Sequence, residues 1–268
     1  MLFHKSRVPY IGITGITSPA ESDLIARSWA GNSSRKVMIG VLVSSKTLRS
    51  EPDQWPNRYP ALGDIAGIFS DHTAAFNVIH YSTDEPGSLL DQLLTVSHLC
   101  GPNLHGFQLN MAWPSAADLR RFAGQRSGLE IILQLNQEAF RVAGNHQGAV
   151  AAKLQREYSG LVDHVLLDLS AGYGRQLDPA WARRQLAEMR DAELDMGLGV
   201  AGGLSPESLH LVAPLVKEFP QLSLDAEARL RDAEDNLDPD LGQEYLRTAF
   251  AMFDGAITSQ PTEKPACA

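Results

Sequence analysis

The sequence is short of cysteine and of positive charge. Its two cysteines, Cys100 and Cys267, are too few in 268 residues for a disulfide framework and point to reduced thiols in a cytoplasmic protein. Lys plus Arg number 23 against 32 Asp plus Glu, a net charge of −9, and with no basic stripe the chain is not built for nucleic acid. No apolar run approaches the ~20 residues of a membrane helix, which excludes a spanning segment. The opening Val8-Pro9-Tyr10-Ile11-Gly12-Ile13-Thr14 is too short and too glycine-broken for a secretory signal. Metal and cofactor motifs are missing as well. The eight histidines are scattered, with no His-Glu-x-x-His, paired-cysteine, Walker, kinase or nucleophile-elbow pattern, so no metal and no cofactor is expected. What is present is an ordinary globular composition, 44% apolar and 21% charged, long enough for one large domain. The expected partner is a small-molecule ligand, and a homodimer is left open.

Eight short apolar runs read as strands: residues 9–14, 37–43, 75–81, 104–110, 129–136, 162–168, 197–201 and 222–225. Amphipathic stretches separate most of them. The junctions share a chemistry. Ser18-Pro19-Ala20-Glu21 offers a capping serine, a proline whose missing amide hydrogen a first helical turn does not need, and a reciprocal glutamate. Asp178-Pro179, Ser205-Pro206 and Asp238-Pro239 repeat the cap-then-proline pair, and Ser115 is placed to cap a helix over 116–123. Eight strand–helix units in a chain of this length predict a single closed (β/α)8 barrel over residues 1–256, with a frayed tail over 257–268. The longest irregular stretch, 44–60, holds Trp55 and Tyr59, which suit either a lid or an anchor.

Catalytic groups in such a barrel stand at the C-terminal ends of strands. With period two, Gln108 shares a face with Asn110, Gln134 with Asn136, and His164 with Leu166 and Asp168, where a barrel interior calls for Val, Ile and Leu. Asn110, Asn136 and Asp168, lying last, are candidates to line a mouth for a polar, hydroxylated ligand. Gln108, Gln134 and His164, deeper by two or four residues, read as a satisfied internal network. Asp168 ends an apolar run, and burial raises a carboxyl pKa, which suits a general acid; the alternative is a carboxylate that caps a helix or is bonded to loop amides. Gly202 and Gly203 let a ligand approach backbone amides, and a helix beginning at Pro206 would favour anions there.

These segments together resemble phosphoribosylanthranilate isomerase, of the ribulose-phosphate-binding barrel superfamily. The resemblance rests on Ile13-Thr14-Gly15-Ile16-Thr17-Ser18-Pro19, on Thr47-Leu48-Arg49 after strand two, on Leu166-Leu167-Asp168 with Gly172-Tyr173-Gly174, and on Ala201-Gly202-Gly203-Leu204-Ser205-Pro206. It implies an acid–base rearrangement of a phosphorylated ribosylamine, with Asp168 as the acid, Arg49 holding a carboxylate, and Asp225 contacting substrate from strand eight.

Two positions depart from the family's pattern. Thr14 stands where the family has its cysteine base, and a hydroxyl keeps its proton at neutral pH where a thiol is readily tuned. The family's phosphate-binding Asp-Val-Ser-Ser-Gly reads Asp225-Ala226-Glu227-Ala228-Arg229 here, placing a carboxylate where a phosphate would lie. Arg229 or Arg231 is expected to offset Glu227 or to pair with it. Three readings stay open: an isomerase-like enzyme with altered chemistry and Asp225 or Glu227 as the replacement base, an authentic phosphoribosylanthranilate isomerase with an unusual base, and a non-catalytic ligand-binding barrel.

Overall fold

The computed structural model describes residues 7–29, 31, 33–144, 146–170 and 172–258. Its strands are β1 (Tyr10–Thr14), β2 (Lys36–Ser44), β3 (Ala75–Ser82), β4 (Gly106–Leu109), β5 (Glu130–Leu135), β6 (His164–Leu167), β7 (Gly197–Ala201) and β8 (Ser223–Ala226). All run parallel in chain order, and β8 pairs back onto β1, so the sheet closes into the expected (β/α)8 barrel. Each strand lies within two residues of its expected ends. Closure pairs every strand on both sides and leaves no sheet edge.

The strands are buried on both faces, which is why they read as nearly continuous apolar runs. Their outward residues, among them Ile13, Val41, Phe107, Leu135, Leu167 and Leu224, merge with the buried faces of the helices in one large core. The inward residues Tyr10, Met38, Phe76, Val78, Ile132, Leu166 and Ala201 form a second cluster that plugs the barrel. Inward glycines make room for the bulkier members of these layers. A Cβ on Gly12 would stand 2.5 Å from Met38 Cε, and one on Gly197 2.2 Å from His164 Nδ1.

The caps work as their chemistry dictates, with one exception. Ser18 Oγ accepts from the Glu21 amide, and Glu21 Oε2 accepts from the Ser18 amide, opening the helix Pro19–Arg27. Ser115 caps Ala116–Gln125, two residues longer than expected, and Asp178 caps Pro179–Asp191. Asp238 Oδ1 takes the amides of Asp240 and Leu241 at the start of Pro239–Thr258. Such caps contribute about 1 kcal/mol each. The Ser205-Pro206 pair does not start an α-helix. The Ser205 amide donates to Ser208 Oγ at 2.8 Å, and that hydroxyl donates to the Gly203 carbonyl at 2.8 Å. This side-chain competition for local backbone groups makes a turn instead, and the α-helix waits until Ala213–Glu218.

The last helix reaches Thr258, so it runs past the expected barrel boundary at 256; residues 259–268, including Cys267 and most of the expected tail, lie outside the described residues. Cys100 sits at the C-cap of the helix Leu89–Leu99 rather than within it, and burial pushes its thiol up to about 12. Among the described residues no helix is long and apolar enough to cross a membrane.

Candidate functional site

The C-terminal ends of the strands carry a polar layer in place of a third apolar one. Thr14 closes β1, His80 stands near the end of β3, Gln108 and Gln134 are inward on β4 and β5, Asp168 follows β6, and Asp225 lies on β8. All six are buried. Five of them, all but His80, form one chain of hydrogen bonds. Thr14 Oγ1 donates to Asp225 at 3.0 Å from Oδ1 and 3.1 Å from Oδ2. Gln108 Nε2 donates to Asp225 Oδ2 at 3.0 Å and to Gln134 Oε1 at 3.3 Å. Gln134 Nε2 donates to Asp168 Oδ2 at 2.7 Å, while the Ser170 amide donates to Asp168 Oδ1 at 2.7 Å. The chain thus links carboxylates on β6 and β8 through two amides. The deeper glutamines, expected to be internal stitching, are the stitching of the site itself.

The two carboxyl groups are treated differently. Burial pushes the Asp225 carboxyl up to about 7; the donors Gln108 and Thr14 work against this, and the charges of Glu227 and Asp168 add to it. Asp225 therefore exchanges its proton near neutrality. Asp168 uses both oxygens as acceptors, one of them from a backbone amide that cannot reverse its polarity. Burial also lowers the pKa of His80, more than Glu227, Asp168 and Gln134 raise it. Neither ring nitrogen of His80 meets hydrogen-bond geometry with a described residue.

These groups face a cavity of about 30 Å³, also lined by Gly172, Gly174, Gly202, Gly203 and Glu227. That is room for about one water. The loops above account for the tightness. Arg58, from the loop after β2, is 5% exposed and donates to Glu227 Oε1 at 2.8 Å and to both oxygens of Asp235 at 2.7 and 2.8 Å. Its guanidinium lies 4.8 Å from the Trp55 ring centroid. Trp55 packs edge-on against Tyr173 at 5.8 Å and lies so near Gly172 that a Cβ there would stand 2.8 Å away. Arg229 Nε donates to the Gly174 carbonyl at 3.0 Å, and Arg231 Nη2 donates to the carbonyls of Thr14 and Gly15. The partner of Glu227 is thus Arg58, not Arg229 or Arg231 as expected. Both of those arginines have backbone carbonyls to satisfy, and Arg58 reaches the carboxylate from across the mouth.

The structure therefore gathers Asp168, Asp225, Gly202, Gly203 and Glu227 around one cavity, with Thr14 buried behind Asp225 and Arg229 bonded to Gly174 of its wall. Asn110 and Asn136 lie outside it and line a neighbouring cavity of about 1240 Å³, which also reaches Gln134 and Trp181. Asn136 caps the helix Gln137–Ala143, its Oδ1 accepting from the Ala139 amide at 3.0 Å. Arg49 is not brought to the mouth; it pairs with Glu51, Asp84 and Glu85. Trp55 packs beside the cavity, against Gly172 of its wall and against Tyr173 and Arg58. The anion-favouring helix start after Gly203 is absent, since a turn stands there. Sequence reasoning missed His80 and Arg58. The alternation that singled out Gln108 and Gln134 also sets Phe76, Val78 and His80 on one face, so the signal for His80 was available. Arg58 had none, because its partners are some 170 positions away in the chain. Among the described residues no cluster of three or more His, Cys, Asp or Glu is arranged to hold a metal ion.

A closed parallel barrel with a polar, carboxylate-bearing C-terminal mouth defines a (β/α)8 protein of the kind that hosts small-molecule sites. Among solved structures the chain is similar to phosphoribosylanthranilate isomerase from Thermus thermophilus, at 19% identity and a TM-score of 0.61 over 92% of this chain and 98% of that one. It is similar to the same enzyme from Thermotoga maritima at 19% identity and a TM-score of 0.63, over 91% and 99% of the two chains. The tryptophan synthase alpha chain of Legionella pneumophila follows at 14% identity and 0.57, over 95% and 94%. No protein-family model and no curated protein sequence matches the chain. The fold is a phosphoribosylanthranilate isomerase-like barrel, divergent in sequence.

Proposed function

We propose that the chain is an acid–base enzyme of the isomerase type, acting at the barrel mouth on a small, polar, hydroxylated ligand, with Asp168 and Asp225 as its proton-handling carboxyls. The observation that carries this reading is the buried chain Thr14–Asp225–Gln108–Gln134–Asp168 at the C-terminal face, where packing alone would place aliphatic residues. Two carboxyls in unlike surroundings suit paired acid and base roles. Asp225, titrating at about 7, has a proton to give near neutral pH and is assigned the donor role. This departs from the family-based expectation that Asp168 is the acid, and Asp168 is assigned to accept. Thr14 orients Asp225, and its hydroxyl, protonated at neutral pH, is a poor base. Gly202, Gly203, Glu227 and Arg229 are the ligand-facing rim, and Asn110 and Asn136 would meet a ligand long enough to enter the side cavity.

The test is solvent isotope exchange. Glyceraldehyde, ribose 5-phosphate and phosphoribosylanthranilate are incubated with the protein in D2O, and carbon-bound deuterium is followed by NMR. Catalysed incorporation into one of them, reduced about 100-fold or more in Asp225→Asn, is the expected result. Binding of a probe without exchange would move the protein to the ligand-binding reading.

A further inference from the structure

The site as described has a proton donor and an acceptor carboxylate, and Thr14, whose hydroxyl donates to Asp225, is unfit to take a proton from carbon. Among the described residues His80 is the remaining ionisable side chain on the cavity wall, with only Gln134 beside it as a near-partner whose geometry falls short of a hydrogen bond. It stands on the inward face of β3, in register with Leu42 on β2 and Gln108 on β4. It is 8% exposed, lines the cavity beside Gln134, Asp168 and Asp225, and both ring nitrogens are without hydrogen bonds among the described residues. A buried imidazole ordinarily bonds well through at least one nitrogen, and a ring held short of that is under-satisfied. A polar ligand atom in the cavity would satisfy it. Its lower pKa leaves the ring uncharged and able to accept at neutral pH.

We infer that His80 is the base of this site, removing the carbon-bound proton of a 2-hydroxy aldehyde substrate. This rests on the acid–base reading above, moves the proton-accepting role from Asp168 to His80, and adds the substrate class. The C2–H bond breaks, its proton goes to the free imidazole nitrogen, and its electron pair forms the C1=C2 bond of an enediol. The carbonyl π pair moves to oxygen, which takes the proton of Asp225. In the second half the imidazolium returns a proton to C1. The C2 hydroxyl gives its proton back to Asp225, and the ketose leaves with both residues restored. Asp168, facing the ring across Gln134, stabilises the transient imidazolium.

The experiment uses the exchange assay with His80→Gln. Deuterium incorporation falls at least 100-fold while KM and the melting temperature hold, and the wild-type profile loses its rise with pH, whose midpoint lies below the usual histidine value of 6.5. The titratable groups facing the ring are Asp168 and Glu227, with Asp225 beyond Gln108; Leu42 and Gln108, its strand neighbours, bring none. Exchange that persists in His80→Gln overturns the assignment and leaves the acid–base reading standing. A wild-type protein inert toward every probe overturns both. Should the variant not fold, the imidazole resonances of His80 in the wild-type protein decide. A shift on saturation with the exchanging probe supports the assignment, and unchanged resonances overturn it.

Discussion

The two ends of the barrel interior are built from the same inward faces of the same strands, yet they use polar groups in opposite ways. At the N-terminal end, His164 Nε2 meets Glu130 at 3.1 Å, Ser223 Oγ accepts the Tyr10 amide at 3.1 Å, and the rings of Tyr10, Phe76 and His164 pack against one another. At the C-terminal end the polar layer stands under glycine-bearing loops and around a cavity. The apolar plug of Met38, Val78, Ile132 and Leu166 divides them. The difference teaches that polarity inside a barrel does not mark a site. What marks it is polarity that titrates near neutrality beside a cavity, next to backbone that can yield.

The comparison can be broken first at Asp225. Its carboxyl titrates at about 7 in the folded protein against 3.8 for the free side chain. Between those values the folded chain holds a proton that the unfolded chain has released, so stability falls as pH rises from about 4 to about 7, by roughly 4 kcal/mol in all. Asp225→Asn is expected to lose exchange activity by two or more orders of magnitude and to be more stable than the wild type at pH 8. That gain disappears near pH 4; urea unfolding across this range checks it, and a gain that grows toward acid would refute the assignment.

Next comes the strap over the mouth. Arg58→Ala leaves Glu227 and Asp235 facing each other without their cation, an expected loss of about 3 kcal/mol in urea unfolding. Arg58→Ala combined with Glu227→Gln should cost less than the sum of the two single changes. Gly203→Ala follows. Gly203 has φ +56°, and a Cβ there would stand 2.7 Å from the Gly174 carbonyl, so about 1–3 kcal/mol is lost and the rim is displaced. The smallest effect belongs to the N-terminal end. His164→Gln should cost about 1 kcal/mol and leave exchange rates unaltered, since that histidine reaches nothing at the mouth. A matching loss of exchange there would collapse the distinction between the two ends.

Much of this was legible from the chain alone, for identifiable reasons. Strand positions follow from runs buried on both faces, and the helix starts at Pro19, Pro179 and Pro239 follow from local caps that need no tertiary information. Ser205-Pro206 carries the same local signal and fails because Ser208, three residues on, takes the groups a helix would use. Asp168 and Asp225 were visible as carboxylates ending apolar strands. Arg58 was not, because an arginine in a long loop carries no mark of the carboxylates it will meet. Arg49, in the same loop, was the more prominent candidate and is held instead by its acidic neighbours.

The contact of Trp55 with Gly172 and Tyr173 has a practical corollary. On the function proposed above, a ligand larger than one water must shift the loop that carries Gly172, and the indole seated on Gly172 and Tyr173 changes its surroundings with it. Indole emission, compared between the wild type and Trp55→Phe to subtract Trp29, Trp113 and Trp181, therefore provides an optical clock for admission, readable before any product accumulates.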